Sequence, residues 1–316
     1  MNSRVKELDF LKCIFIILMI IFHLVYIGDS YPYAKQVVYT FHMSAFLVIS
    51  GYLNNVNKKI KAFGRSLLCI FIPYVCMETG YVIMSAILPV REKITELSAG
   101  LLLHKAIIAP MGPYWYLHTL MLCNASYYLM YRMTNKWKGI TRFILLGILL
   151  YGLSELKLLT FANAIYFLAG VAIRQSGSNI IRIFQPSLLA LFPLIILCYF
   201  PENLNRGTLA GVTITYLVIS LLLAIYTYLT EQIKRILLYI GSNTLVILLF
   251  SPVFTILSKL YLPLFTFDAT GICFTIVSVV FVICGCFGVT YIFDRLHISP
   301  YFLGKKQMLP PYSSAD

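Results

Sequence analysis

The chain has 316 residues, of which 60% are apolar and only 12% charged. A soluble domain carries about 25% charged residues, so this chain has roughly half the charge needed to coat a water-facing surface. That excludes a soluble globular enzyme, a disordered chain and a nucleic-acid-binding domain, and predicts one all-α polytopic membrane domain over residues 1–316.

A helix needs about 20 mostly apolar residues to cross a bilayer. Ten stretches qualify as candidate spans: 8–27, 37–53, 67–88, 113–131, 143–154, 158–173, 187–200, 207–229, 236–258 and 271–293. The first carries Asp9, Lys12 and His23. His23 interrupts its apolar run and no small-residue cleavage site follows, so it reads as a retained span rather than a signal peptide. The second carries His42. A basic loop, Asn57-Lys58-Lys59-Ile60-Lys61-Ala62-Phe63-Gly64-Arg65, leads into the third span, which holds Glu78. The fourth carries Trp115 and His118. The fifth and sixth are short and read as a tight hairpin or as one broken element. The tail Lys305-Lys306-Gln307-Met308-Leu309-Pro310-Pro311 reads as a short cytoplasmic end.

The net charge of +13 reports orientation, because basic loops stay in the cytoplasm. With the N-terminus inside, the 25 basic residues divide 18 to 7 in favour of the inner segments, the seven being Lys35, Arg91, Lys93, Lys105, Lys157, Arg206 and Lys259. The bias predicts both termini in the cytoplasm and an even number of spans.

Ionisable groups inside spans are costly and mark function by default. His23, His42 and His118 each fall four or five residues from the outer end of a span, a similar depth at about 1.5 Å per residue. They are expected to line one cavity if their helices are neighbours. Lys12 lies about 16 Å below His23 on the same helical face, and Asp9 is spaced to pair with Lys12. Lys61 and Arg65, spaced i,i+4 where the third span begins, suit a phosphate-rich ligand or serve as topology charges. The eight cysteines all lie in apolar stretches and read as small hydrophobes, with no metal site implied.

The run Phe41-His42-Met43-Ser44-Ala45-Phe46 with Ser50-Gly51-Tyr52 resembles the signature of the integral-membrane acyltransferase family 3. Asp9-Phe10-Leu11-Lys12 followed by His23 is similar to that family's opening. Lys61 and Arg65 with Pro73-Tyr74, then Trp115-Tyr116-Leu117, then Ile240-Gly241-Ser242-Asn243-Thr244-Leu245 resemble its later elements, in order. Lys12 and Lys61 stand where the family has arginines, which removes a bidentate fork. Leu248 and Ser251 stand where it usually has a Tyr and a His.

The resemblance implies transfer of an acyl group, acetyl in the usual case, from cytoplasmic acyl-CoA to a hydroxyl of a cell-surface or lipid-linked glycan. It implies His23 as base or transient acyl carrier, Lys12 and Asp9 as orienting groups, and His42 in the acceptor-side catalytic cavity. Lys61 and Arg65 would hold the CoA phosphates. Trp115, with His118 and Ser50, would line the substrate pocket. The expected cofactor is acyl-CoA as donor, with no metal. The expected partners are the bilayer and a glycan acceptor, with no nucleic acid. The expected location is a bacterial inner membrane. The alternatives are a transporter of a glycan or lipid-linked intermediate, whose mark would be paired broken repeats, and a non-catalytic partner in glycan assembly.

Overall fold

The computed structural model describes residues 4–87, 94 and 96–309, leaving aside the side chain of Val25. Arg91 and Lys93 of the charge tally, Leu88 of the third stretch and Pro310-Pro311 of the tail lie outside the described residues. The described regular structure is entirely helical. The chain divides into two compact units. One comprises Met1–Ile49, Ser176–Tyr291 and Leu309–Asp316, and the other Ser50–Gln175 with Ile292–Met308.

The first unit contains α1 (Lys6–His23), α2 (Val25–Ser30) and most of α3 (Pro32–Leu53). It also holds α9 (Ile180–Phe184), α10 (Leu191–Tyr199), α11 (Leu209–Tyr228), α12 (Glu231–Ser242), α13 (Thr244–Leu257) and most of α14 (Ile272–Arg295). α1 buries Leu8, Phe10, Leu11, Phe15, Ile16 and Ile20, and packs chiefly along α12, then on α13 and α11. The expected first span is broken. α1 stops at His23, Leu24 turns extended (φ −64°, ψ 121°), and α2 follows.

The stretch at 236–258 is also not one straight span. α12 and the helical run from Thr244 meet at a 79° bend. Ser242 and Asn243 explain it. Both side chains donate to the carbonyl of Tyr239, at 2.8 Å each, taking over a bond that a continuing helix would supply from its own backbone.

The second unit contains α4 (Ile60–Ile87), α5 (Ala99–Ile107), α6 (Trp115–Met133), α7 (Gly139–Glu155), α8 (Phe161–Gln175) and α15 (Ser299–Phe302). α4 packs on α5, α6 and α15, and α6 on α7 and α8. The fifth and sixth stretches form a hairpin. α7 and α8 lie against each other, and Lys157 turns the chain between them at φ +60°. The unit's core is built from Cys123, Tyr127, Leu146, Leu150, Phe167 and Val171.

Each of the ten predicted stretches lies on a helix or a helix pair. Among the described residues, α3, α4, α11 and α14 are long and apolar enough to cross a bilayer singly, and the bent pair from Glu231 makes a fifth. α1 carries Lys6, Glu7, Asp9 and Lys12 near its start. α7 and α8, at 17 and 15 residues, fall short of the roughly 20 that a straight crossing needs. The outward faces of α4 and α14 expose Ile72, Ile83, Ile276, Val280 and Ile292, as lipid contact requires.

Candidate active site

In the first unit the functional candidates lie along α1. At its start, Asp9 is buried and accepts from both neighbours, Lys12 Nζ at 2.6 Å and Arg4 Nε at 2.5 Å. The spacing anticipated the Lys12 pair; Arg4 was missed, because it lies outside the helix. Gly241 fixes how close α12 comes to this ion pair. A Cβ there would run into the carbonyl oxygen of Asp9 and stand 2.6 Å from its carbonyl carbon. The glycine of the Ile240–Leu245 element is therefore a close-approach residue, as small residues at helix contacts in membranes commonly are.

At the far end of α1, His23 Nδ1 lies 2.7 Å from the carbonyl oxygen of Met19. A carbonyl only accepts, so Nδ1 carries a proton, and in the neutral imidazole the lone pair is then on Nε2. His42, on α3, is held in the same way, with Nδ1 donating to the Val38 carbonyl at 2.7 Å. Tyr39 packs between the two imidazoles. Its ring centroid is 6.2 Å from that of His23 and 5.2 Å from that of His42, and Lys35 Nζ lies 5.6 Å from its ring. The structure thus brings His23 and His42 to one aromatic residue in one unit. Tyr39 was not singled out from sequence. Its place three residues before His42, on one helical face, is the signal that could have found it.

The second unit holds the remaining candidates. Ser50 Oγ and Tyr116 Oη lie 3.0 Å apart. Gly51 brings α3 against α8: a Cβ would meet the carbonyl oxygen of Phe167 and stand 3.2 Å from the Gly170 Cα. Trp115 opens α6 and packs edge to face on Tyr116. His118 is buried, and its Nε2 donates to the carbonyl of Ile107 at 2.7 Å. It therefore carries a structural duty that depth alone did not disclose.

Lys61 and Arg65 are both exposed on the first turns of α4. Arg65 Nη2 donates to the Gly304 carbonyl at 3.2 Å. Tyr128 donates to the Lys58 carbonyl at 2.9 Å and stacks on Phe63 at 3.8 Å. The described part of the tail, up to residue 309, is docked. Leu303 and Met308 are buried, and Met308 N and Ser299 Oγ both donate to Asp294. Lys305 and Lys306 consequently follow directly on the residue that binds Arg65, a proximity that residues 239 positions apart do not disclose in sequence.

A search of curated proteins and a search of solved structures each returned no match. The family model described as an acyltransferase domain, that of acyltransferase family 3, matches residues 5–291 and so takes in both units, the His23 and His42 helices and the basic start of α4; the chain belongs to this family and is a multi-pass membrane acyltransferase.

Proposed function

We propose that the protein transfers an acyl group, acetyl in the simplest case, from acyl-CoA to a hydroxyl of a cell-surface or lipid-linked glycan, with His23 as the general base. The observation that carries this reading is the hydrogen bond of His23 Nδ1 to the Met19 carbonyl. It leaves Nε2 of the neutral ring as the basic nitrogen, on a residue 11 positions from Lys12 of the Asp9–Lys12 pair along one helix.

A sugar hydroxyl is a poor nucleophile at neutral pH. Nε2 takes its proton as the oxygen attacks the thioester carbonyl. The tetrahedral intermediate collapses to the ester and CoA thiolate, and the imidazolium returns the proton to the sulfur. His42, through Tyr39, shapes the acceptor side of the same cavity. Lys12 and Asp9 orient the start of α1. Lys61 and Arg65 hold the CoA phosphates, since charge-assisted bonds to phosphate are the strong ones available to such side chains. Trp115 and Ser50 line the substrate pocket, and His118 belongs to its support. We place both termini in the cytoplasm on the basic-residue bias, and the protein in a bacterial inner membrane on the family resemblance alone.

The test is acyl transfer by His23→Ala in membranes supplied with labelled acetyl-CoA. Transfer is expected to vanish while the protein still purifies as a folded species. Wild-type levels of acetylated glycan in that variant would remove His23 from the chemistry.

A further inference from the structure

The last carbonyls of any helix lack intrahelical donors. α5 ends at Ile107, and side chains of α4 and α6 donate to its last carbonyls. Tyr74 Oη, on α4, donates to the Ala106 carbonyl at 2.8 Å. His118 Nε2, on α6, donates to the Ile107 carbonyl at 2.7 Å. Four residues on, Met111 N donates to Glu78 Oε1 at 2.6 Å. Tyr74 and Glu78 have no exposed surface, His118 is 6% exposed and Met111 2%. Three buried polar side chains thus bind three backbone atoms of one six-residue segment, 106–111.

That segment runs straight into the start of α6. Met111 is followed by the single 3-10 turn Gly112–Tyr114, with Pro113 and Tyr114 buried, and then by Trp115 and Tyr116, whose hydroxyl meets Ser50. Only the three residues Gly112–Tyr114 separate the clamped backbone from Trp115. A shift at 107–111 is therefore carried to Trp115.

We propose that Tyr74, Glu78 and His118 are positioning residues for the acceptor side of the acyl-transfer site, acting by clamping residues 106–111 and so fixing Trp115. The proposal rests on the acyltransferase reading above. His118 acts as a neutral donor through Nε2, the opposite tautomer to His23, and is not a base. Glu78 acts as an acceptor for one amide.

The clamp requires donor and acceptor atoms, not titration, so amide isosteres must replace them. Gln at position 118 presents an N–H where Nε2 stood, and Gln at 78 keeps an acceptor oxygen. Trp115 supplies a readout independent of the acceptor's identity. The chain has two tryptophans, so Trp137→Phe leaves Trp115 as the only indole. In that background, His118→Gln and Glu78→Gln are expected to keep the Trp115 emission maximum and the rate of label transfer from acetyl-CoA to endogenous acceptor in native membranes. His118→Leu and Glu78→Leu are expected to shift the emission and lower that rate about tenfold, the effect of stranding one buried polar group. The KM for acetyl-CoA and the pH profile should not move. If a leucine variant does not fold, Tyr74→Phe removes a single hydroxyl and is read in the same way.

A folded leucine or phenylalanine variant with unchanged emission and rate overturns the proposal. So does a folded His118→Gln as inactive as His118→Leu, which would give the imidazole a chemical role. The acyltransferase reading fails separately, if His23→Ala transfers at the wild-type rate whatever the His118 series shows.

Discussion

Gly241→Ala is the sharpest perturbation of the first unit. The added Cβ would lie 2.6 Å from the Asp9 carbonyl carbon and 3.2 Å from its Cα. Carbon atoms in contact sit about 3.5–4.0 Å apart. The obstacle is backbone on a neighbouring helix, so no rotamer change relieves it. The Asp9 carbonyl oxygen lies nearer still, so α1 and α12 must part by more than about 1 Å. Overpacking of this kind costs about 1–3 kcal/mol, against which the better helix propensity of alanine returns at most about 1 kcal/mol. The larger effect falls on activity. Asp9 and Lys12 move with α1, and a displacement of about 1 Å can cost about 10²-fold in rate. Gly288→Ala in α14 is the control. Nothing lies within 4 Å of a Cβ there, so it should cost no stability and no activity. Thermal unfolding in nanodiscs and label transfer from acetyl-CoA measure both variants. If Gly241→Ala unfolds and transfers like wild type, the close approach of α12 to Asp9 does not hold the site together.

Further outcomes follow from the rest of the molecule. Lys61→Gln should raise the KM for acetyl-CoA about tenfold with little change in kcat, as expected for a contact remote from the thioester. Lys61→Arg should bind at least as well as wild type, and an unchanged KM in Lys61→Gln would reduce Lys61 to a topology charge. Arg65 is the poorer probe, because it also binds the Gly304 carbonyl. Asp268, just before α14, accepts from the hydroxyl and amide of Thr270 and the amide of Cys273, which hold its carboxyl down at about 2. Its folded value lies below the unfolded one of about 3.9, so its contribution is complete above about pH 5 and fades as pH falls through 4 to below 2. The Tm difference between wild type and Asp268→Asn should shrink over that window, and a constant difference would remove the carboxylate from the account. A reporter fused at residue 316 should be active only when it is a cytoplasmic reporter; activity of a periplasmic one there would reverse the proposed orientation.

Hydropathy and spacing carried the reading a long way. Each of the ten apolar stretches is helical, because a chain that cannot be hydrated must satisfy its backbone internally. The Asp9–Lys12 pair was legible because i,i+3 neighbours are set by helix geometry alone. The order of short motifs from Asp9 to Leu245 was enough to indicate the family. What the tertiary structure decided are contacts between residues far apart in the chain. Gly241 meets Asp9, the Gly304 carbonyl binds Arg65, and Tyr74, Glu78 and His118 bind residues 106–111. In sequence, Gly241 reads only as one member of the Ile240–Leu245 element and His118 as one more histidine at a given depth. The break after His23 and the bend at Asn243 were hidden for a related reason. Hydropathy reports that a residue avoids water and is silent on its partner, and in a membrane the partner is what the backbone and every buried polar group depend on.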